Sequence, residues 1–230
     1  QKILETIKTQ QVDSIKQSGA MVASTLIEGG IVHVFGSGHS HMIAEEAFFR
    51  AGGLVPVNPI LDQRLLFLKG ALESTYAERE MGYAANILQQ ETLISKDVAI
   101  IVSNSGRNAV PVEMALELRL KGLKLIAITN VDQSRQSSSR HISGTRLFEL
   151  VDVIIDNCIP PGDSVLQLAT GQTIGPSSTV AGAAIINSIM IEAASVLLQK
   201  NLPVPVFPSA NIDTSDSRQL EDILKEYSPR

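Results

Sequence analysis

Cysteine is nearly absent from this sequence of 230 residues: Cys158 stands alone, which excludes an intrachain disulfide framework, and no Cys/His pair has zinc-finger spacing. Aromatic residues make up 4% of the chain against a hydrophobic share of 44%, so the core must be built from Ile, Val, Leu and Ala. There is no run of Lys and Arg, and the formal charge is −5, which argues against nucleic acid or an anionic membrane as the main partner. No charged-then-apolar leader opens the sequence, and the cytoplasm is the expected location. One segment, Val180–Leu198, is apolar and long enough to span a bilayer, but Glu192, Asn187, Ser188 and Ser195 lie inside it and no basic anchor precedes it. A buried core helix is the expectation there.

What the sequence has is a repeated alternation of apolar strand, hydroxyl-rich turn and helix. Ile31–Phe35 reads as a strand buried on both faces, and Gly36-Ser37-Gly38-His39-Ser40-His41 follows it directly. Gly36 and Gly38 permit a tight turn and close approach of a ligand, and Ser40 is placed to cap the next helix. Free N–H groups, the positive end of a helix dipole and a serine hydroxyl together suit an anion such as phosphate. The third glycine of a dinucleotide-binding loop is replaced by His41, and the lysine of a Walker loop is missing. A purely structural strand-to-helix turn is the alternative.

Asp97–Val102 is a second buried strand, and it runs into Ser103-Asn104-Ser105-Gly106-Arg107-Asn108. Ser103, Asn104, Ser105 and Asn108 offer short hydrogen-bonding arms to one oxyanion, a cluster that packing does not explain. Leu54–Val57, Leu125–Thr129 and Val151–Ile155 read as further strands, with helices over residues 2–28, after Ser40 up to Gly52-Gly53, over Glu73–Gln90 with a break near Gly82, and from Asn108 to Lys121. This alternation predicts an α/β fold: a five-stranded parallel sheet with helices on both faces and its site beyond the carboxyl ends of the strands. Residues 1–29 form a leading helix, 30–200 the domain, and 201–230 an arm, extended over Asn201–Phe207 and with a short helix over Ser217–Tyr227. Val131–Thr145 reads as a solvated loop, although His141 follows a strand end on the site side. Pro160-Pro161-Gly162 breaks the chain, and Gly175-Pro176-Ser177-Ser178-Thr179 opens the long apolar helix.

Through GSGHSH, SNSGRN and GPSST the sequence resembles the SIS (sugar isomerase) domain family over roughly residues 10–200, the S-x-S-G run being the most specific of the three. It is similar to single-domain members of the phosphoheptose isomerase or arabinose-phosphate isomerase kind, a separate bacterial branch being the alternative. The resemblance implies a flavodoxin-like three-layer sandwich, a phosphorylated sugar as ligand, no cofactor, no metal, and a homodimer or homotetramer. Its phosphosugar contacts fall on Gly38, His39, Ser40, Ser103, Asn104, Ser105, Asn108, Ser178 and Thr179. An isomerase of this kind moves a proton through an enediol, and the resemblance offers Glu46, in Ala44-Glu45-Glu46, and Glu80, in Glu80-Met81-Gly82-Tyr83, as bases, with His41 as acid. Glu45 and Glu192 are further carboxylates near these motifs. Elimination, as in N-acetylmuramic acid phosphate etherases, and a non-catalytic phosphosugar sensor are the alternatives. Arg107 replaces the family's usual Glu or Asn.

Overall fold

The computed structural model describes residues 1–209 together with Asp222, Leu224 and Lys225. Five strands, β1 (Val32–Gly36), β2 (Val57–Ile60), β3 (Val98–Val102), β4 (Lys124–Thr129) and β5 (Val153–Asp156), form one parallel sheet in the order β2-β1-β3-β4-β5. The strands β1 and β3 are buried along their whole length, as their β-branched sequences require of central parallel strands. Their alternate residues face two different cores. Val32, Val34, Ile100, Ile126 and Ile128 pack against α3 (His41–Ala47) and α8 (Ser178–Gln199), with Ile43, Ile185, Ile186 and Ile189 opposite them. On the other face Phe35, Ala99, Ile101 and Leu125 meet Ile87 of α5 (Tyr83–Leu88) and Met114 and Leu118 of α6 (Ala109–Leu120).

The expected leading helix is two helices, α1 (Lys2–Gln10) and α2 (Val12–Ile27), hinged at Gln11, whose backbone leaves the helical region at φ −112°. Both pack against α8, and Ile7, Val22 and Ala23 join the sheet's core, so residues 1–29 are continuous with the domain. Although α8 is the one helix among the described residues long and apolar enough to cross a membrane, Ile185, Ile186, Ile189 and Ala193 lie buried in the protein.

Two boundaries differ from the sequence reading. Helix α3 stops at Ala47, because Phe48 is extended and Phe49 has a φ of 42°. The second strand is Val57–Ile60 rather than Leu54–Val57: the earlier residues pair instead with the arm, Val55 N–H donating to Pro205 O and Phe207 N–H to Gly53 O. Pro59 is accommodated in β2 because this strand is the sheet's edge. The break expected near Gly82 is present: α4 (Ala71–Ala77) and α5 are separate helices, and Gly82, which has a φ of 78°, stands at the start of the second. Between β4 and β5 lies the one-turn helix α7 (Val131–Arg135), and between β5 and α8 an antiparallel hairpin, β6 (Ser164–Gln167) and β7 (Thr173–Pro176), that carries exposed Val165, Leu166 and Ile174. The terminal helix expected over Ser217–Tyr227 lies outside the described residues except at Asp222, Leu224 and Lys225.

A buried polar group fixes the sheet at the end opposite the turns. Asp97 accepts from Ile31 N–H at 2.9 Å, from Ile94 N–H at 2.9 Å and from His33 Nε2–H at 3.2 Å. Asn58 donates to His33 Nδ1, so the imidazole has a donor and an acceptor and is a satisfied core residue. Asp97→Ala strips two buried donors, Ile31 N–H and His33, and the partly buried Ile94 N–H of their acceptor, a loss of about 2–5 kcal/mol. The expected outcome is a melting temperature lower by roughly 10 °C or more, measured by circular dichroism, with Asp97→Asn recovering part of it.

Candidate functional site

The strand order reverses between β1 and β3: β2 lies to one side of β1, while β3, β4 and β5 follow on the other. Loops leaving the carboxyl ends of these two strands diverge and leave a crevice between them. The two hydroxyl-rich turns leave from those ends.

In the first turn, Gly36 admits no side chain, since a Cβ there would lie 2.4 Å from Ser40 O. Gly38–Ser40 forms a 3-10 turn that runs straight into α3, so Ser40 is helical in backbone and its hydroxyl does not cap the helix as expected. His41 Nδ1–H donates to Gly38 O, leaving Nε2 turned toward Glu45 at 3.8 Å. His39 is exposed and stacks on Phe67 with ring centroids 4.5 Å apart. Phe67 comes from the segment Asn58–Gly70, which the sequence left unassigned.

The second turn is tied mostly to itself and to its neighbours. Ser103 Oγ accepts from Gly106 N–H at 3.2 Å, and Asn104 Oδ1 accepts from Asn157 at 2.7 Å. Ser105 makes no side-chain hydrogen bond among the described residues and is half-buried. Asn108 begins α6, its amide donating to Glu78 Oε2 at 2.8 Å and its carbonyl oxygen accepting from Arg140 at 2.8 Å. Gly106 has a φ of 55° and is enclosed by Leu147, Ser134 and Thr129 at 3.1–3.3 Å from where a Cβ would sit.

Glu78 is the residue that sequence reasoning missed. It follows α4, and its second oxygen accepts from Ser37 Oγ at 2.7 Å. One carboxylate therefore joins the first turn, through Ser37, to the second, through Asn108. Its backbone carbonyl also accepts from Val110 N–H in the first turn of α6. Within Ala77-Glu78-Arg79-Glu80 no spacing distinguishes the two acids; the structure does, because Glu80 turns outward to Arg64 at 2.8 Å.

The remaining candidates lie elsewhere. Glu46 is bonded to Arg50 and to Asn187 of α8 at 2.7 Å, at a cleft beside Gly52 and Gly53. Glu192 is on α8, fourteen residues beyond Ser178, which is about 21 Å along the axis. Ser178 stands at the start of α8 with Thr179 beside it, but an internal anion occupies that start: Asp163 accepts from Ser177 N–H at 2.8 Å, from Ser178 N–H at 2.7 Å and from the Ser178 hydroxyl. Among the described residues, no group of three or more His, Cys, Asp and Glu side chains is arranged to hold a metal ion.

The Val131–Thr145 region is not merely solvated. Arg140 N–H donates to Arg107 O at 2.8 Å and Leu147 N–H to Gly106 O at 2.8 Å, which staples this loop to the second turn. Beside it His141 Nε2 lies 3.6 Å from Glu113, whose Oε1 accepts from Gly82 N–H. Gly106→Ala forces a side chain into the left-handed region and against Leu147, so a loss of about 1–3 kcal/mol is expected. Thermal unfolding checks it, with a drop of roughly 2–10 °C as the expected result.

Comparison with known proteins agrees with this architecture. Two solved phosphoheptose isomerases share the fold: that of Neisseria gonorrhoeae, at a TM-score of 0.54 and 14% identity over 84% of this chain and 92% of that one, and that of Francisella tularensis, at 0.53 and 15% over 84% and 91%. Among curated sequences, the UPF0309 protein of Listeria innocua is 40% identical over 230 residues, covering all of this chain and 93% of the relative. A UPF0309 protein of Geobacillus thermodenitrificans is 42% identical over 238 residues, covering 100% and 94%. The sequence from residue 1 to 130, which carries β1, β3 and both hydroxyl-rich turns, matches the SIS domain, and the chain belongs to that family.

Proposed function

We propose that the protein binds a phosphorylated sugar in the crevice between β1 and β3 and isomerises it between aldose and ketose forms, with Glu78 as the base. The observation that carries this reading is the Glu78 carboxylate, held by one donor from each turn at 2.7 and 2.8 Å. A base that moves a proton between adjacent carbons must be fixed relative to both ends of the sugar, and a carboxylate anchored to both walls meets that requirement. Each oxygen keeps a lone pair beyond the bond it accepts, so the anchored group still has room to take a proton.

The chemistry needs no redox partner. Glu78 removes the proton from the carbon next to the carbonyl, and the carbonyl oxygen gains a proton to give an enediol. Glu78 then returns its proton to the former carbonyl carbon while the neighbouring hydroxyl gives up its own proton to become the new carbonyl, so that no net proton is gained or lost. In this reading His41, whose Nδ1 bonds Gly38 O and whose Nε2 faces Glu45, and exposed His39 meet the sugar hydroxyls. Phosphate is placed near Ser105 and the start of α6. Solved neighbours of the same fold are named phosphoheptose isomerases, which supports the substrate class. Association into a homodimer or homotetramer belongs to the same reading, supported by the exposed apolar side chains Val165, Leu166 and Ile174 of the β6–β7 hairpin.

Two measurements test it. Thermal unfolding against a panel of sugar phosphates, with the free sugars as controls, is expected to show a shift with a phosphorylated member only; at 100 times its dissociation constant a ligand adds about 2.7 kcal/mol, or roughly 5–10 °C here. Exchange of the substrate's carbon-bound proton with deuterated water is then expected in the wild type and slowed about 10²- to 10⁴-fold in Glu78→Gln. Glu46→Gln, Glu80→Gln and His41→Asn run beside it: exchange that survives Glu78→Gln and is lost in one of these moves the base to that residue. Binding with no exchange in the wild type identifies a phosphosugar sensor.

A further inference from the structure

Three arginines lie near one another and near Glu78. Arg107 belongs to the second turn, Arg79 follows Glu78 directly, and Arg140 comes from the loop stapled to the second turn by its own backbone N–H. Among the described residues none of the three forms an ion pair, whereas Arg50, Arg64 and Arg146 are all bonded to carboxylates. Their polar contacts are to neutral groups: Arg140 donates to the Asn108 side chain at 2.8 Å, and Arg107 to Ser138 Oγ at 3.4 Å. Arg107 Nε is buried and has no partner.

Such an arrangement is unfavourable by itself. Burial holds the Arg140 guanidinium below its ordinary range, and the neighbouring charges of Arg79 and Arg107 press in the same direction, with only Glu78 opposing them. Three guanidinium groups against one carboxylate leave an excess of two positive charges, which is the charge of a phosphate monoester dianion. In the second turn Ser103 Oγ and Asn104 Oδ1 serve as acceptors, from Gly106 and Asn157, and Asn108 bonds both Glu78 and Arg140. Ser105 has no side-chain hydrogen bond among the described residues, and Asn108, which opens α6, ties Arg140 to that helix start.

We infer that Arg107 and Arg140, with Arg79 at the rim, form the phosphate grip of this site, and that Ser105 and the N-terminus of α6 complete it. Guanidinium groups present parallel N–H pairs that match two phosphate oxygens at once, giving short charge-assisted bonds where hydroxyl groups alone give weaker ones. The inference rests on the phosphosugar reading for the identity of the ligand. It assigns the charge recognition to residues from three separate loops, of which only Arg107 lies within a family motif.

The test is isothermal titration of the full chain with inorganic phosphate and with the sugar-phosphate panel, the free sugars serving as controls. Arg107→Gln and Arg140→Gln are each expected to weaken phosphate affinity about 10-fold, and the pair about 100-fold. Arg107→Lys is expected to fall between, because it keeps the charge and loses the fork. Wild-type affinity should decline with added salt. If Arg140→Gln lowers the melting temperature, the Arg79→Gln/Arg107→Gln pair decides instead, since neither of those side chains bonds Asn108. Phosphate affinity within threefold of wild type in a folded double variant overturns the inference, as does a wild type that binds no phosphate or sugar phosphate. Proton exchange that fails while the arginine-dependent affinity stands removes the isomerase reading alone. Turnover with undiminished affinity in the arginine variants removes the grip alone.

Discussion

The hydrogen bonds of one carboxylate hold the two halves of the site in register. Strands β1 and β3 are adjacent, but the chain leaves them toward opposite sides of the sheet, so nothing in the strand ladder fixes one turn against the other. Glu78, arriving from α4 between them, bonds Ser37 of one and Asn108 of the other. Parallel topology creates the crevice, and this bridge sets its width. Asp97 performs the complementary task at the amino end of the same two strands, where it gathers Ile31, Ile94 and His33. The central pair is thus fixed at both ends by acids that follow neither strand.

The parallel sheet was legible because its strands are short, β-branched and bounded by glycine or hydroxyl residues; Ile31–Phe35, Asp97–Val102 and Leu125–Thr129 stand within a residue of the observed elements. The hairpin at Ser164–Gln167 and Thr173–Pro176 was not, because it lies outside the core and its apolar residues face solvent, so it carries no burial pattern for a sequence to display. Leu54–Val57 has the composition of a strand and does pair, but with the arm beyond α8, and a partner about 150 residues away leaves no local mark. Within the site, both hydroxyl-rich turns could be located from motif and position. The direction of each side chain could not: nothing in the sequence tells that Ser103 Oγ accepts from Gly106 N–H and Asn104 Oδ1 from Asn157, and Glu78 looks like any acid on a helical surface. Of two carboxylates two residues apart, the one facing the crevice is settled by where α4 ends.

Electrostatic asymmetry follows from the same loops. The chain is acidic overall, yet Arg79, Arg107 and Arg140 lie near one another beside Glu78, with no ion pair to any of them among the described residues. Within a protein of net negative charge, such a local excess of cation attracts anions. The backbone bonds from Arg140 and Leu147 to the second turn give this charge a fixed position instead of leaving it on a free loop.

Asp163 completes the picture from the far side. Its backbone lies in the left-handed region, with a φ of 66°, and its carboxylate meets two backbone N–H groups and the Ser178 hydroxyl at the start of the longest helix. A tethered carboxylate acts there as an intramolecular ligand, present at that helix start whatever the concentration of free anions. The start of the longest helix is thus filled by the protein's own carboxylate, whereas among the described residues no carboxylate is bonded to the backbone N–H groups that open α6.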